Sequence, residues 1–137
     1  MSIRRAAVAG QFYPASPTVL RDSVETYIRD SQVSPAPEQV AAIISPHAGY
    51  IYSGPTAGFV FARIRGKTPK RVVLLGRSHR YYFEKASIYT GEGFETPLGV
   101  APVDTKFAED LAHETGATTP EAHILESVAV IPGRDGR

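Results

Sequence analysis

The chain has 137 residues, of which 42% are hydrophobic and 21% are charged, and its formal net charge at pH 7 is +1. This size and composition predict one soluble globular domain. The net charge is too small to give a strong electrostatic field that would attract nucleic acid or an anionic membrane. The chain contains no cysteine, which excludes disulfide frameworks, thiolate zinc sites and cysteine nucleophiles.

The amino-terminal stretch is too short and too weakly apolar for a signal peptide, and no apolar run along the chain approaches the length of a membrane span. We therefore expect a cytoplasmic protein without a membrane partner. Further along, Ser16 followed by Pro17 is typical of a helix start. Apolar side chains then repeat at helical spacing, which predicts an amphipathic helix over residues 17–31. These side chains are Leu20, Val24, Tyr27 and Ile28.

Two short apolar segments each precede a histidine. Residues 41–44 lead to His47, and residues 72–75 lead to His79. Both segments lack helical periodicity and stop at proline or glycine, which predicts two buried strands. Between them, the sequence Ser53-Gly54-Pro55 is typical of a helix start, and the helical pattern ends at Gly66. The predicted order is therefore strand, helix, strand.

A crossover of this length allows the two strands to pair in parallel, which would place both histidines at the same edge of the sheet. Neighbouring strands lie about 4.8 Å apart, so two imidazoles could reach one metal ion. A histidine after a strand also commonly caps or packs, so a structural role stays open. Two ligands do not complete a site, and no spacing identifies the third. The candidates are Glu95, Asp104, His123 and Glu126.

The remaining elements are less distinct. The aromatic residues 81–83 are able to line a pocket or to pack in a core. Residues 86–90 have the composition of a strand, and residues 91–99, with three glycines and a proline, that of a turn. Asp104 is a credible N-cap for a last helix, which has an apolar face. That face carries Phe107, Ala108, Leu111 and Ala112.

Four collinear motifs over roughly residues 4–126 resemble the Memo family, whose bacterial members include AmmeMemoRadiSam system protein B. The motifs are residues 5–14, 46–54, 75–79 and 95–99, the last followed by Val103-Asp104. The resemblance implies an α/β fold akin to the LigB-type class III extradiol dioxygenases, with a mixed, largely parallel sheet flanked by helices and a cleft at the strand ends. It also implies that His47 and His79 are two ligands of a divalent transition metal, Fe, Cu or Zn. Tyr50, Tyr52 and Arg80 would orient a small ligand there.

The chain departs from that family in length, because family members are nearly twice as long and their later half supplies further metal ligands. The family pattern is also lost after Glu126. We therefore expect an incomplete fold, with an amino-terminal part of a Memo-like domain over residues 1–126 and a divergent tail over residues 127–137. Such a truncated chain would expose faces that are normally covered.

Three functions are compatible with these observations, and the sequence leaves open whether the chain is an enzyme. The first is a metal-dependent, oxidoreductase-like protein with an incomplete cleft, inactive as this chain. The second is a binding or scaffold module for a small molecule or a peptide, using aromatic contacts in the same cleft. The third is a remnant without function. Nucleic acid is not an expected partner, because the basic residues are scattered along the sequence.

Overall fold

The computed structural model describes residues 2–79, 82, 84, 86–118 and, for the backbone, 129–132. The described residues form a mixed α/β structure, which confirms the predicted class. The elements are β1 (Ile3–Arg4), α1 (Pro17–Asp30), α2 (Tyr50–Ile64), β2 (Arg71–Leu74), β3 (Gly93–Thr96), β4 (Gly99–Pro102), α3 (Thr105–Thr115) and β5 (Ala129–Pro132). They divide into a helical unit, Val8–Lys67, and a sheet unit, Met1–Ala7 with Thr68–Arg137. Within the described residues, none of the helices is long and apolar enough to cross a membrane.

Helix α1 begins where the sequence predicts. The hydroxyl of Ser16 accepts a hydrogen bond from the amide of Val19 at 3.5 Å, and Pro17 occupies the first turn, where its missing N–H removes no helical bond. At the other end, the Ser31 hydroxyl donates to the carbonyl of Ile28 at 2.7 Å. The predicted amphipathic helix over residues 17–31 is thus confirmed, with Leu20 buried.

Helix α2 begins earlier than predicted, at Tyr50, and Pro55 lies inside it. The expected start at residues 53–55 was wrong because Ser53 does not cap the helix. Its hydroxyl instead donates to the carbonyl of Ala48 at 2.7 Å. Pro55 is the sixth residue of the helix, past the first turn, so the helix lacks the backbone bond that an amide at this position would donate to the carbonyl of Ile51. The predicted end is confirmed, since Gly66 follows the helix with a left-handed φ of 77°.

The two helices of the helical unit pack through small residues. The buried face of α2 carries Ser53, Gly54, Gly58 and Ala62. The ring of Tyr27 lies against Gly54, and its main chain lies against Gly58. Arg65 also pairs with Glu25 across the two helices, at 2.6 Å. Small side chains on α2 therefore allow α1 to approach closely.

The sheet unit is built on a short mixed sheet. Strand β1 pairs in parallel with β3, and β3 pairs in antiparallel with β4. The predicted turn over residues 91–99 was too long, because residues 93–96 form β3 and only the Pro97-Leu98 corner turns. Phe94 favours a strand over a turn here because its side chain packs against the core. Its ring lies on that of Tyr89, with the centroids 4.8 Å apart. The predicted strand at residues 86–90 is reduced to an isolated bridge between Ser87 and Thr118.

Helix α3 closes this unit and confirms the predicted cap. The carboxylate of Asp104 accepts a hydrogen bond from the amide of Phe107 at 3.1 Å. Arg71 contributes from β2, because its guanidinium pairs with Asp104 at 2.7 Å and lies 4.0 Å from the centre of the Phe107 ring. The buried core beneath the helix consists of Ile88, Tyr89, Val103, Ala108 and Ala112.

The predicted pair of buried parallel strands is not formed. Residues 41–45 adopt no strand, and Ile44 is 92% exposed. Residues 71–74 do form β2, but it pairs in antiparallel with β5. Its apolar side chains stay accessible, and Leu75 just beyond it is 82% exposed. A strand needs a pairing partner and a buried strand needs cover on both faces, and an apolar run guarantees neither.

Candidate functional site

A pocket of about 400 Å³ lies within the helical unit. It lies among the loop of residues 8–13, helix α1, the segment of residues 45–48 and helix α2. Its volume falls in the range of small-molecule sites, which are roughly 300 to 1,000 Å³. The aromatic and imidazole groups in its wall are Phe12, Tyr13, Tyr27, His47, Tyr50 and Phe61.

His47 reaches this pocket because the residues after it are tied down on two sides. The carbonyl of Ala48 accepts a hydrogen bond from the Ser53 hydroxyl at 2.7 Å. The amide of Tyr50 donates to the carbonyl of Phe12 at 2.8 Å. The first bond holds the segment to the first turn of α2, and the second holds it to the loop. The position of His47 is thus set by backbone hydrogen bonds of its neighbours.

The loop of residues 8–13 is a compact turn. The amide of Gly10 donates to the carbonyl of Tyr13 at 2.7 Å, and the amide of Phe12 donates to the carbonyl of Val8 at 2.9 Å. Gly10 has a left-handed φ of 81°, a backbone conformation that residues with a side chain rarely adopt. This turn places the ring of Tyr13 beside that of Tyr50, with centroids 5.8 Å apart.

Tyr50 lies at the centre of the aromatic group. Its ring also meets that of Tyr27 edge to face, with centroids 6.3 Å apart. Burial raises the pKa of the Tyr50 phenol above its usual value, and the neighbouring Tyr13 and Tyr27 raise it further. The hydroxyl therefore stays neutral and able to donate a hydrogen bond well into the alkaline range.

The structure brings together two of the predicted site residues, His47 and Tyr50. Tyr52 does not line this pocket, and its side chain is 78% exposed on α2. His79 follows β2 in the sheet unit, where it is exposed. Arg80 lies outside the described residues. Because His47 and His79 belong to different units, a metal shared between them stays a prediction.

The described residues do not complete a donor set for a metal. They contain no group of three His, Asp or Glu side chains close enough to hold an ion. Among the candidate third ligands, Asp104 caps α3 and pairs with Arg71, and Glu95 is exposed on β3. His123 and Glu126 lie beyond the residues that the structure describes. As far as the structure describes it, the wall around His47 supplies phenols, two serines and apolar groups but no carboxylate.

Most of the pocket wall was not predicted from the sequence, including Tyr13 and Tyr27, the two tyrosines that flank Tyr50. Tyr13 lies in residues 6–14, which the sequence leaves open as an extended segment or as a loop leading to a site, without a role for this side chain. Tyr27 was assigned to the apolar stripe of α1. The pair of glycines four residues apart on α2, Gly54 and Gly58, was the available signal, because such a pair admits a large neighbour.

Comparison with known proteins identifies the family. A family profile described as Memo-like protein matches residues 4–127. Among proteins named MEMO1 family protein, the one from Aquifex aeolicus is 38% identical over 130 residues, which cover 92% of this chain and 46% of that protein. The one from Nitrosopumilus maritimus is 36% identical over 118 residues, covering 82% of this chain and 42% of that protein. The chain thus spans about half the length of these relatives, and it belongs to the Memo family.

Proposed function

We propose that this chain is a ligand-binding module of the Memo family, whose pocket beside His47 takes a small organic ligand or a peptide side chain. The observation that carries this proposal is the grouping of His47 with Tyr13, Tyr27 and Tyr50 around one cavity. The part of the wall that the structure describes contains no aspartate or glutamate beside His47. The proposal concerns binding and includes no turnover by this chain alone.

The chemistry of the wall defines the class of ligand. Among the described residues, no lysine, arginine, aspartate or glutamate lines the cavity, which disfavours highly charged ligands. Aromatic rings offer edge-to-face and stacked contacts, and the neutral Tyr50 phenol adds a polar contact. An uncharged aromatic body with one hydrogen-bonding group fits this combination.

Titration of the isotope-labelled chain with phenol and indole tests the proposal. We expect chemical-shift changes at the pocket residues, measured by two-dimensional amide and methyl NMR. Ala57→Leu should weaken binding about tenfold, because Ala57 lines the cavity and a larger side chain fills it. Thr56→Leu is the matched control, since Thr56 is its exposed neighbour on α2 and lies outside the pocket wall.

Two results would contradict the proposal. One is the absence of saturable shifts at the pocket residues with either compound. The other is equal weakening by Ala57→Leu and Thr56→Leu, which would locate the binding elsewhere on the chain.

A divalent transition metal, Fe, Cu or Zn, is the second candidate ligand. The observation that favours it is the position of His47 in the wall of a cavity, where an imidazole is accessible to a ligand. His79 is its expected partner through the family resemblance. Since the described residues complete no three-donor group, such a site needs further donors from outside them.

A further inference from the structure

The pocket wall contains three phenol hydroxyls that form no hydrogen bond with any other residue that the structure describes. They belong to Tyr13, Tyr27 and Tyr50, whose side chains are all partly buried. Tyrosines that are buried in a fold usually bond their hydroxyl to the protein, as Tyr89 does in the sheet unit by donating to the carbonyl of Ser2 at 2.8 Å. The three pocket phenols therefore keep a hydrogen-bonding capacity that the described part of the chain does not use.

The two serines of the wall differ from the phenols in this respect. The hydroxyl of Ser53 donates to the carbonyl of Ala48 at 2.7 Å, and that of Ser45 donates to the carbonyl of Pro46 at 3.3 Å. A serine hydroxyl has a single proton, so these two have none left for a ligand. Among the described residues of the wall, the O–H groups that can donate to a ligand are thus those of the tyrosines.

The three phenols form one connected group. The ring centroid of Tyr50 lies 5.8 Å from that of Tyr13 and 6.3 Å from that of Tyr27. The ring of Tyr27 is held against Gly54, where a side chain would collide with it. Burial, and after it the nearby Tyr13 and Tyr27, raise the pKa of Tyr50, so its phenol keeps the proton that it can donate.

This arrangement favours an acceptor on the ligand. A carbonyl oxygen has two lone pairs and can accept from two O–H groups, whereas a ligand N–H can only donate and leaves the phenol protons unused. We infer that the pocket selects an uncharged aromatic ligand that carries a carbonyl acceptor, as aryl ketones do, and that Tyr50 donates to this oxygen together with Tyr13 or Tyr27. The inference rests on the proposed function and adds the chemical class of the ligand and the residues that determine it.

A pair of probes of the same shape tests the acceptor. Acetophenone carries a C=O group where α-methylstyrene carries C=CH2, and the dissociation constants of both are measured by amide and methyl NMR titration of the whole chain. The compared quantity is the ratio of the two constants, because a change in this ratio between variants cancels the different transfer of the two probes from water. Tyr50→Phe removes the hydroxyl and keeps the ring. We expect it to shift the ratio against acetophenone by roughly three- to tenfold, the usual effect of one neutral hydrogen bond.

Further variants identify the second donor and control for general effects. Either Tyr13→Phe or Tyr27→Phe should shift the ratio in the same direction as Tyr50→Phe. Tyr52→Phe is the matched control and should leave the ratio unchanged, because it removes an exposed hydroxyl of α2 outside the pocket wall. Circular dichroism of each variant verifies that the helices are retained.

A second pair of probes tests the opposite polarity. Indole carries an N–H donor where indene carries a CH2 group, and we expect Tyr50→Phe to leave the ratio of their dissociation constants unchanged. A shift against indole with none against acetophenone would overturn the inference, since the phenol would then act as an acceptor. Tighter binding of benzoate than of acetophenone would overturn it as well, because the pocket would then recognise a negative charge.

The outcomes separate this inference from the proposed function. If acetophenone and α-methylstyrene both bind at the pocket residues and Tyr50→Phe leaves their ratio as Tyr52→Phe does, the inference is wrong and the proposed function stands. If no probe gives saturable shifts at the pocket residues, the proposed function is wrong, and the inference falls with it.

Discussion

The main chain of Tyr27 lies directly against Gly58, so that a side chain on Gly58 has no space at the contact between α1 and α2. Gly58→Ala must therefore push the helices apart. We expect a loss of about 1–3 kcal/mol in the free energy of unfolding, the usual cost of overpacking. The change is measured by urea unfolding followed by far-ultraviolet circular dichroism. Gly76→Ala is the control, because a side chain there meets nothing within 4 Å. Equal stability of the two variants would contradict the close packing.

The raised pKa of the Tyr50 phenol predicts that the stability of the fold changes at alkaline pH. Its pKa is raised by burial and by Tyr13 and Tyr27, so the folded chain keeps this proton at pH values where the unfolded chain has lost it. Since the folded state then binds more protons, stability falls as the pH rises above about 10, the ordinary tyrosine value. Tyr50→Phe should reduce this fall in urea unfolding measured across that range. Tyr52→Phe removes an exposed hydroxyl from the same helix and is the control. An unchanged alkaline slope in Tyr50→Phe would refute the assignment.

The lowered pKa of the Asp104 carboxyl group predicts that the fold loses stability as the pH falls. The hydrogen bond from Arg71, and after it the amide of Phe107, lower the pKa of this carboxyl group. Its contribution to stability is therefore present above about pH 3.9, the ordinary aspartate value, and is lost as the pH falls through the lowered folded value. Asp104→Ala should lower the melting temperature at neutral pH, and the difference from the original chain should shrink in acid.

The matched control for this change is Asp110→Asn. Asp110 also forms an ion pair on α3, with Lys106, but that pair is exposed and caps nothing. Such pairs contribute little to stability. If both variants melt at the same temperature, the cap and the Arg71 contact do not stabilise α3.

The incomplete donor set predicts weak metal binding by this chain alone. His47 and His79 supply at most two imidazoles, and the described residues contain no three-donor group. After dialysis against a chelator, we expect less than one equivalent of Fe, Cu or Zn by plasma mass spectrometry, with little change in His47→Ala or His79→Ala. A full equivalent that either variant loses would contradict this expectation and support the metal candidate.

Local signals in the sequence were sufficient for α1 and α3. Ser16 and Asp104 cap the helices that follow them, and such caps act within three residues. The start of α2 was predicted wrongly because its first amide, that of Tyr50, donates to the carbonyl of Phe12, which is distant in sequence. The strand at residues 41–44 was predicted wrongly for a related reason. The apolar pattern indicates that these side chains favour burial, but it does not show which other part of the chain would bury them.

In the candidate site, too, the features set by nearby residues were predictable and those set by residues distant in sequence were not. His47 and Tyr50 lie within one motif, so the sequence could place them together. Tyr13 and Tyr27 reach the pocket from a separate turn and from the opposite helix, and their contribution depends on how the helices pack. The residues that give the pocket its aromatic character were therefore only visible in three dimensions.

The tyrosine cluster also makes the pocket self-reporting. The chain contains no tryptophan, and three of its seven tyrosines, Tyr13, Tyr27 and Tyr50, line one cavity. Ultraviolet emission from the unlabelled protein therefore comes in large part from the rings that a bound molecule would touch. An occupant that quenches or shields these rings would be detected without any dye.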